Sequence, residues 1–146
     1  MFTELVNVKG NLEVILLDGN GIQKDYRKVE NLVVAVGKQV IAARLLGNTL
    51  AVMSHMAVGS DATAAATGQT ALGAELGRVV FDSTARTTNV LTYVSTFGAG
   101  VGTGALTEAA ILNAAATGNM LCRTTFSVVN KAAAVTVVIT WNVTVS

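Results

Sequence analysis

The sequence has no proline, one cysteine and one histidine, and only 13% of its 146 residues are charged, against roughly 25% in typical soluble domains. A lone Cys122 excludes an intramolecular disulfide and a Cys/His zinc cluster, so we interpret it as a small buried hydrophobic residue. Without proline, the turns depend on Gly, Asn and Asp. A surface so poor in charge predicts that other subunits cover part of it.

The charge balance and the apolar runs narrow the function classes further. The formal net charge of +1 is too small for the electrostatic footprint of a nucleic-acid binder. No apolar run approaches the roughly 18 residues of a membrane-spanning helix. The first ten residues lack a basic region followed by an apolar block, so we expect no signal peptide and synthesis in the cytosol.

The first half of the chain predicts a hairpin and then a helix. The apolar run 12–17 ends in the turn Asp-Gly-Asn-Gly at 18–21, and a charged strand over 22–29 returns, which favours an edge position. Apolar residues at spacings of three and four then predict an amphipathic helix over 34–46. Gly37 within this helix indicates close packing against a neighbouring element.

The second half predicts mainly strands. In the last of them, Trp141 lies on an apolar face with strict alternation and is predicted to anchor the core. The strand-like runs cover 53–58, 78–83, 89–97, 106–114, 120–129 and 135–145, with turns at 84–88 and at the glycine-rich 98–104. We therefore expect a single domain, 1–146, that is mainly β: an antiparallel β-sandwich, jelly-roll-like, with one amphipathic helix.

Between these halves, residues 60–74 form a segment rich in Ser, Ala, Thr and Gly that has no hydrophobic period. Loops of this length without secondary structure are uncommon in compact domains and are usually functional. We predict a long loop or arm here that contacts neighbouring chains.

Candidate chemistry is sparse. A hydrolase triad of Ser54, His55 and Asp61 needs a geometry that closeness along the chain does not supply, so a structural histidine is the simpler interpretation. The run 100–105 fits a relaxed dinucleotide-binding pattern but lacks a surrounding βαβ unit, which favours a strand connection. The acidic loop at 18–21 lacks the ligand pattern of a calcium site. We expect no catalytic residue, no cofactor and no metal.

The few acidic residues have a structural interpretation. Glu75 and Glu108 lie in polar, alanine-rich surroundings that could host a carboxylate pair, but with so few acids in the chain we predict that they form ion pairs with Arg78 or Arg123.

Four stretches resemble one family. The sequence from Asn31 to Ser146 is similar to small tailed-bacteriophage structural proteins, the head decoration or cement proteins, through the segments NLVVAVGKQVIAARLLG, SHMAVGSDATAAATGQTALGAELGRVVF, YVSTFGAGVGTGALTEAAILNAAATGNMLCRTTFSVVNK and VTVVITWNVTVS. The resemblance implies a β-sandwich subunit, assembled as a homotrimer on the outer capsid surface of the virion. It implies the major capsid protein as the partner there, and the low net charge and short apolar runs lead us to expect neither nucleic acid nor membrane as a partner. Tail, baseplate and receptor-contacting modules are the alternative.

For this role, subunit or capsid contacts are predicted at two places. They are the start of the chain, with Met1, Phe2 and Leu5, and the long loop, with Thr63, Thr67 and Gln69.

Overall fold

Residues 3–146 are described by a computed structural model, and Met1 and Phe2 lie outside the described residues. This part of the chain contains nine strands and one helix. In order they are β1 (Val8–Leu17), β2 (Gln23–Val33), α1 (Ala35–Leu45), β3 (His55–Gly59), β4 (Glu75–Val80), β5 (Ser83–Thr87), β6 (Val90–Phe97), β7 (Gly104–Leu112), β8 (Met120–Lys131) and β9 (Thr136–Val145).

The nine strands form one antiparallel sheet in the order β4-β3-β7-β8-β2-β1-β9-β6-β5. The sheet curls into a half-barrel, which confirms the prediction of a mainly β, antiparallel fold with one helix. The strand β2 joins the two halves of the sheet: its residues up to Asn31 pair with β1, and Leu32 and Val33 pair with β8.

The main core lies inside the curl. Strand β9 supplies it with alternate residues, among them the fully buried Trp141, as its period of two predicts. Strand β1 does the same with Leu12, Val14 and Leu16, and its register places Leu12 opposite Trp141. The largest buried side chains of this cluster are Trp141, Phe97, Leu12, Met56, Leu106, Ile111 and Ile139.

The helix begins and ends within one residue of its predicted bounds. It packs closely on β8, since a Cβ on Gly37 would lie 2.2 Å from the carbonyl oxygen of Leu121. Val40 is also buried, but Leu46 is 84% exposed. The apolar spacing of the predicted helix therefore does not correspond to burial at its end, and the buried helix residues, Gly37 and Val40, lie in its first turns.

The first hairpin forms as predicted, but its second strand is not at an edge of the sheet. Beyond the two-residue ladder between β2 and β8, Arg27 continues the connection with its side chain. Its Nε donates to the carbonyl of Ser127 at 3.0 Å and its Nη2 to that of Val128 at 2.7 Å. The charged side chain of Arg27, which suggested an edge strand, therefore connects β2 to β8.

The second hairpin is displaced from its predicted position. The predicted turn at 84–88 is mostly strand β5, which pairs with β6 through a turn at Thr88 and Asn89. The predicted strand 78–83 instead contributes to β4, which pairs with β3. All five residues of β5 are exposed, so no alternation of apolar residues marked them as a strand.

Replacing Trp141 with phenylalanine should lower the free energy of unfolding by about 2–4 kcal/mol. The indole Nε1 donates to Asn31 Oδ1 at 2.8 Å, and the buried Nδ2 of the same amide has no hydrogen-bond partner among residues 3–146. The variant therefore leaves the whole amide unsatisfied. Urea denaturation measures the loss, and adding Asn31→Leu should recover part of it; an unchanged loss in the double variant would contradict this explanation.

Candidate functional site

The long loop, residues 60–74, lies against the outer face of the sheet. Strand β3 is buried on both faces: Met56 and Val58 face the main core, whereas Ala57 belongs to a second cluster. Leu72 of the loop and Val34 just before the helix complete that second cluster, together with Ala110, Leu112 and Met120. The loop thus covers apolar surface that would otherwise be exposed.

A buried carboxylate holds both ends of the loop. Glu108 of β7 is fully buried, and its Oε1 accepts hydrogen bonds from the backbone N–H of Asp61 at 3.2 Å and of Ala74 at 2.8 Å. Its Oε2 accepts one from the N–H of Gly73 at 3.0 Å. One side chain therefore fixes where the loop leaves the sheet and where it returns.

A buried arginine holds the middle of the loop. Arg123 of β8 is fully buried and donates to Glu108 Oε2 from Nε at 3.0 Å and from Nη2 at 2.9 Å. Its Nη1 donates to the carbonyl of Thr63 at 2.8 Å and to Gln69 Oε1 at 3.1 Å. We call Glu108 and Arg123 the loop clamp.

The clamp changes the interpretation of the predicted loop contacts. The residue Gln69 is half-buried and tied to the clamp, while the side chains of Thr63 and Thr67 are exposed. The carbonyl of Thr67 accepts a hydrogen bond from the N–H of Ala35 at 2.8 Å, which connects the loop to the first turn of the helix. The middle of the loop is therefore bound to its own chain, and the two threonine side chains are the part that faces outward.

The residues of the hypothetical triad serve different contacts. Asp61 Oδ1 accepts a hydrogen bond from the N–H of Thr63 at 2.9 Å, and this bond, supported by the nearby Arg123, lowers the pKa of the Asp61 carboxyl. Ser54 Oγ lies 2.7 Å from His55 Nδ1. Within residues 3–146 no carboxylate hydrogen-bonds to that imidazole, so the three residues are not brought together.

A second ion pair lies on strand β4. Arg78 donates from Nε to Glu75 Oε1 at 2.9 Å and from Nη2 to Oε2 at 2.7 Å. Its Nη1 also reaches the carbonyls of Ala114 and Thr117, each at 2.9 Å, in the turn between β7 and β8. The four residues proposed for ion pairs are thus brought together as two separate pairs.

The glycine-rich and acidic loops have local roles. Gly100, Gly102 and Gly104 have positive φ angles; the first two lie in the connection between β6 and β7, which are not neighbours in the sheet, and Gly104 begins β7. Asp18 Oδ1 accepts hydrogen bonds from the N–H groups of Asn20 and Ile22, which closes the first hairpin turn. In the described part of the chain, no group of three or more His, Cys, Asp or Glu side chains is placed to hold a metal ion.

Sequence reasoning missed an apolar groove of about 470 Å³ between helix α1 and strands β1, β9 and β6. We call it the helix groove. It is lined by Val8, Val40, Ile41, Arg44, Leu45, Val52, Met53, Leu91, Tyr93, Leu121, Val143 and Val145. A smaller recess lined by Val6, Asn7 and Lys38 shares Val8 and Ile41 with it, so the apolar surface continues toward the start of the chain.

The cysteine provides a direct test of burial. Cys122 is fully buried on β8, and burial raises the pKa of its thiol well above its ordinary value. We expect a maleimide to react with the folded protein only at the rate of unfolding, and immediately in denaturant. Mass spectrometry of labelled protein over time measures this, and rapid labelling under native conditions would contradict the buried position.

Within residues 3–146 no helix has the length and apolar character needed to cross a membrane. No protein-family model, curated protein or solved structure matches the chain.

Proposed function

We propose that this chain is a structural virion protein that binds the outside of a tailed-phage capsid as a decoration or cement protein. The observation that carries the proposal is the helix groove: its lining residues Leu45 and Val52 are exposed, and the exposed Val6 lines the adjoining recess. An apolar patch of this kind on a small protein is typical of a protein–protein interface. The resemblance of residues 31–146 to phage decoration proteins indicates that the partner is a phage capsid.

The composition supports the same role. A chain with 13% charged residues leaves much of its surface suited to burial against other subunits. Cementing requires only that the protein bind the assembled shell more tightly than its precursor or disassembled forms, and mass action then stabilises that shell. The proposal includes a homotrimeric assembly with the major capsid protein as its partner. It also includes the description of the curled sheet as a jelly-roll-like β-sandwich.

Addition of the purified protein to phage heads that lack it tests the proposal. We expect saturable binding and a higher temperature at which the heads lose DNA. We also expect less DNA loss when a chelator is added. The double variant Leu45→Asp, Val52→Asp disrupts the helix groove as an assembly surface and should weaken this protection; both side chains are exposed, so their replacement leaves the core intact. Unchanged DNA loss in the presence of saturating protein would contradict the stabilising role.

Copy number separates this role from a tail, baseplate or receptor-contacting module. A cement protein should approach the major capsid protein in a stained gel of intact virions, whereas a tail module is present in a few to a few tens of copies. A low copy number would assign the chain to the tail.

A further inference from the structure

The helix groove has a candidate occupant within the sequence itself. We propose that the first six residues of a second copy of this chain, which we call the N-terminal arm, dock into the helix groove. The inference deepens the proposed function, on which it rests for the expectation that the chain self-associates. It commits to one surface and one segment.

The charge of the groove rim selects the occupant. Arg44 and Lys38 lie at the groove and its adjoining recess, and among the described residues neither has a carboxylate within 4.0 Å. The guanidinium of Arg44 donates hydrogen bonds to the carbonyl oxygens of Asn48 and Leu50. The groove therefore combines an apolar floor with positive charge at its edge, and an apolar segment that carries one negative charge complements it.

The N-terminal arm has this composition. Four of its six residues are apolar, and Glu4 is its one charged side chain. The hydrogen bond from the N–H of Ser146 to the carbonyl of Asn7, at 2.8 Å, fixes the point at which the arm leaves the sheet. Six extended residues span about 20 Å.

The described part of the arm, residues 3–6, is exposed. Leu5 is 76% exposed and Val6 is 70% exposed, although Val8, two residues further on, already lines the groove. Exchange between copies would bury these side chains together with the exposed Leu45 and Val52 of the acceptor. The apolar surface of both partners then leaves water, which is the driving force for association.

Sedimentation velocity of the purified full chain over a range of concentrations tests the proposal. The arm variant is Leu5→Asp with Val6→Asp, the groove variant is Val52→Asp, and the matched control is Ile22→Asp, an exposed apolar residue in the first hairpin. We expect both the arm and groove variants to weaken self-association by at least about tenfold, because each buries an unpaired charge, and the control to leave it unchanged.

Mixing the arm variant with the groove variant identifies which copy donates the arm. An intact arm on the groove variant can dock into the intact groove of the arm variant, so we expect a one-to-one complex that neither variant forms alone. No complex in the mixture would overturn exchange of the arm between copies. Equal self-association of all variants would place the interface elsewhere and overturn the proposal.

A wild-type chain that remains monomeric yet still binds phage heads would overturn exchange between copies while leaving the proposed function intact. Self-association without binding to heads would support exchange of the arm and contradict the proposed function. The failure of one proposal is therefore distinguishable from the failure of the other.

Discussion

Replacing Arg123 with methionine should lower the free energy of unfolding by about 3–5 kcal/mol. The substitution leaves the carboxylate of Glu108 fully buried without its cation, and it removes the donors to Thr63 and Gln69. Urea denaturation measures the global loss. Hydrogen exchange should show faster exchange at the N–H groups of the long loop, with the strands β1 and β9 affected only through the global loss.

The ion pair between Glu75 and Arg78 is the matched control. Replacing Glu75 with alanine removes a partner from Arg78, but Arg78 keeps the carbonyls of Ala114 and Thr117. Because Glu75 lies at the surface and the nearly buried Arg78 keeps these two acceptors, we expect this change to cost less than the loss of Arg123, about 1–2 kcal/mol. Equal losses for the two variants, or an unchanged exchange rate in the loop, would contradict the loop clamp.

Replacing Gly37 with alanine should also destabilise the protein, by about 2–4 kcal/mol. The new Cβ would lie 2.2 Å from the carbonyl oxygen and 2.8 Å from the carbonyl carbon of Leu121, so the helix must move away from β8. Helix propensity alone predicts that Gly37→Ala raises the free energy of unfolding, since alanine is favoured over glycine by about 1 kcal/mol in a helix interior. The sign of the measured change therefore separates packing from propensity.

Gly68 in the long loop is the control for this substitution. A Cβ at this position would meet nothing within 4 Å. We expect Gly68→Ala to change the free energy of unfolding by no more than about 0.5 kcal/mol. A stabilised Gly37→Ala variant would show that the helix does not pack on β8 at this distance.

Local patterns predicted much of the secondary structure. The alternation around Trp141, the Asp-Gly-Asn-Gly turn and the spacing of three and four in the helix each depend on residues close together in sequence, and each corresponds to an element of the fold. Strand β5, which the sequence pattern did not predict, is the counterexample. Its Ser and Thr residues are exposed, and it is a strand because it pairs with β6.

The sequence by itself determined the class of the protein: a mainly β chain with little charge, a buried lone cysteine and a core anchored by Trp141. Composition and short-range periodicity suffice for these properties, because burial on one face of a strand repeats every two residues. The tertiary structure alone decided which carboxylate met which arginine, since Glu108 and Arg123 are joined by strand pairing across 15 positions. It also decided that the loop is clamped to its own sheet and that the helix groove exists, because both depend on how distant strands curl together.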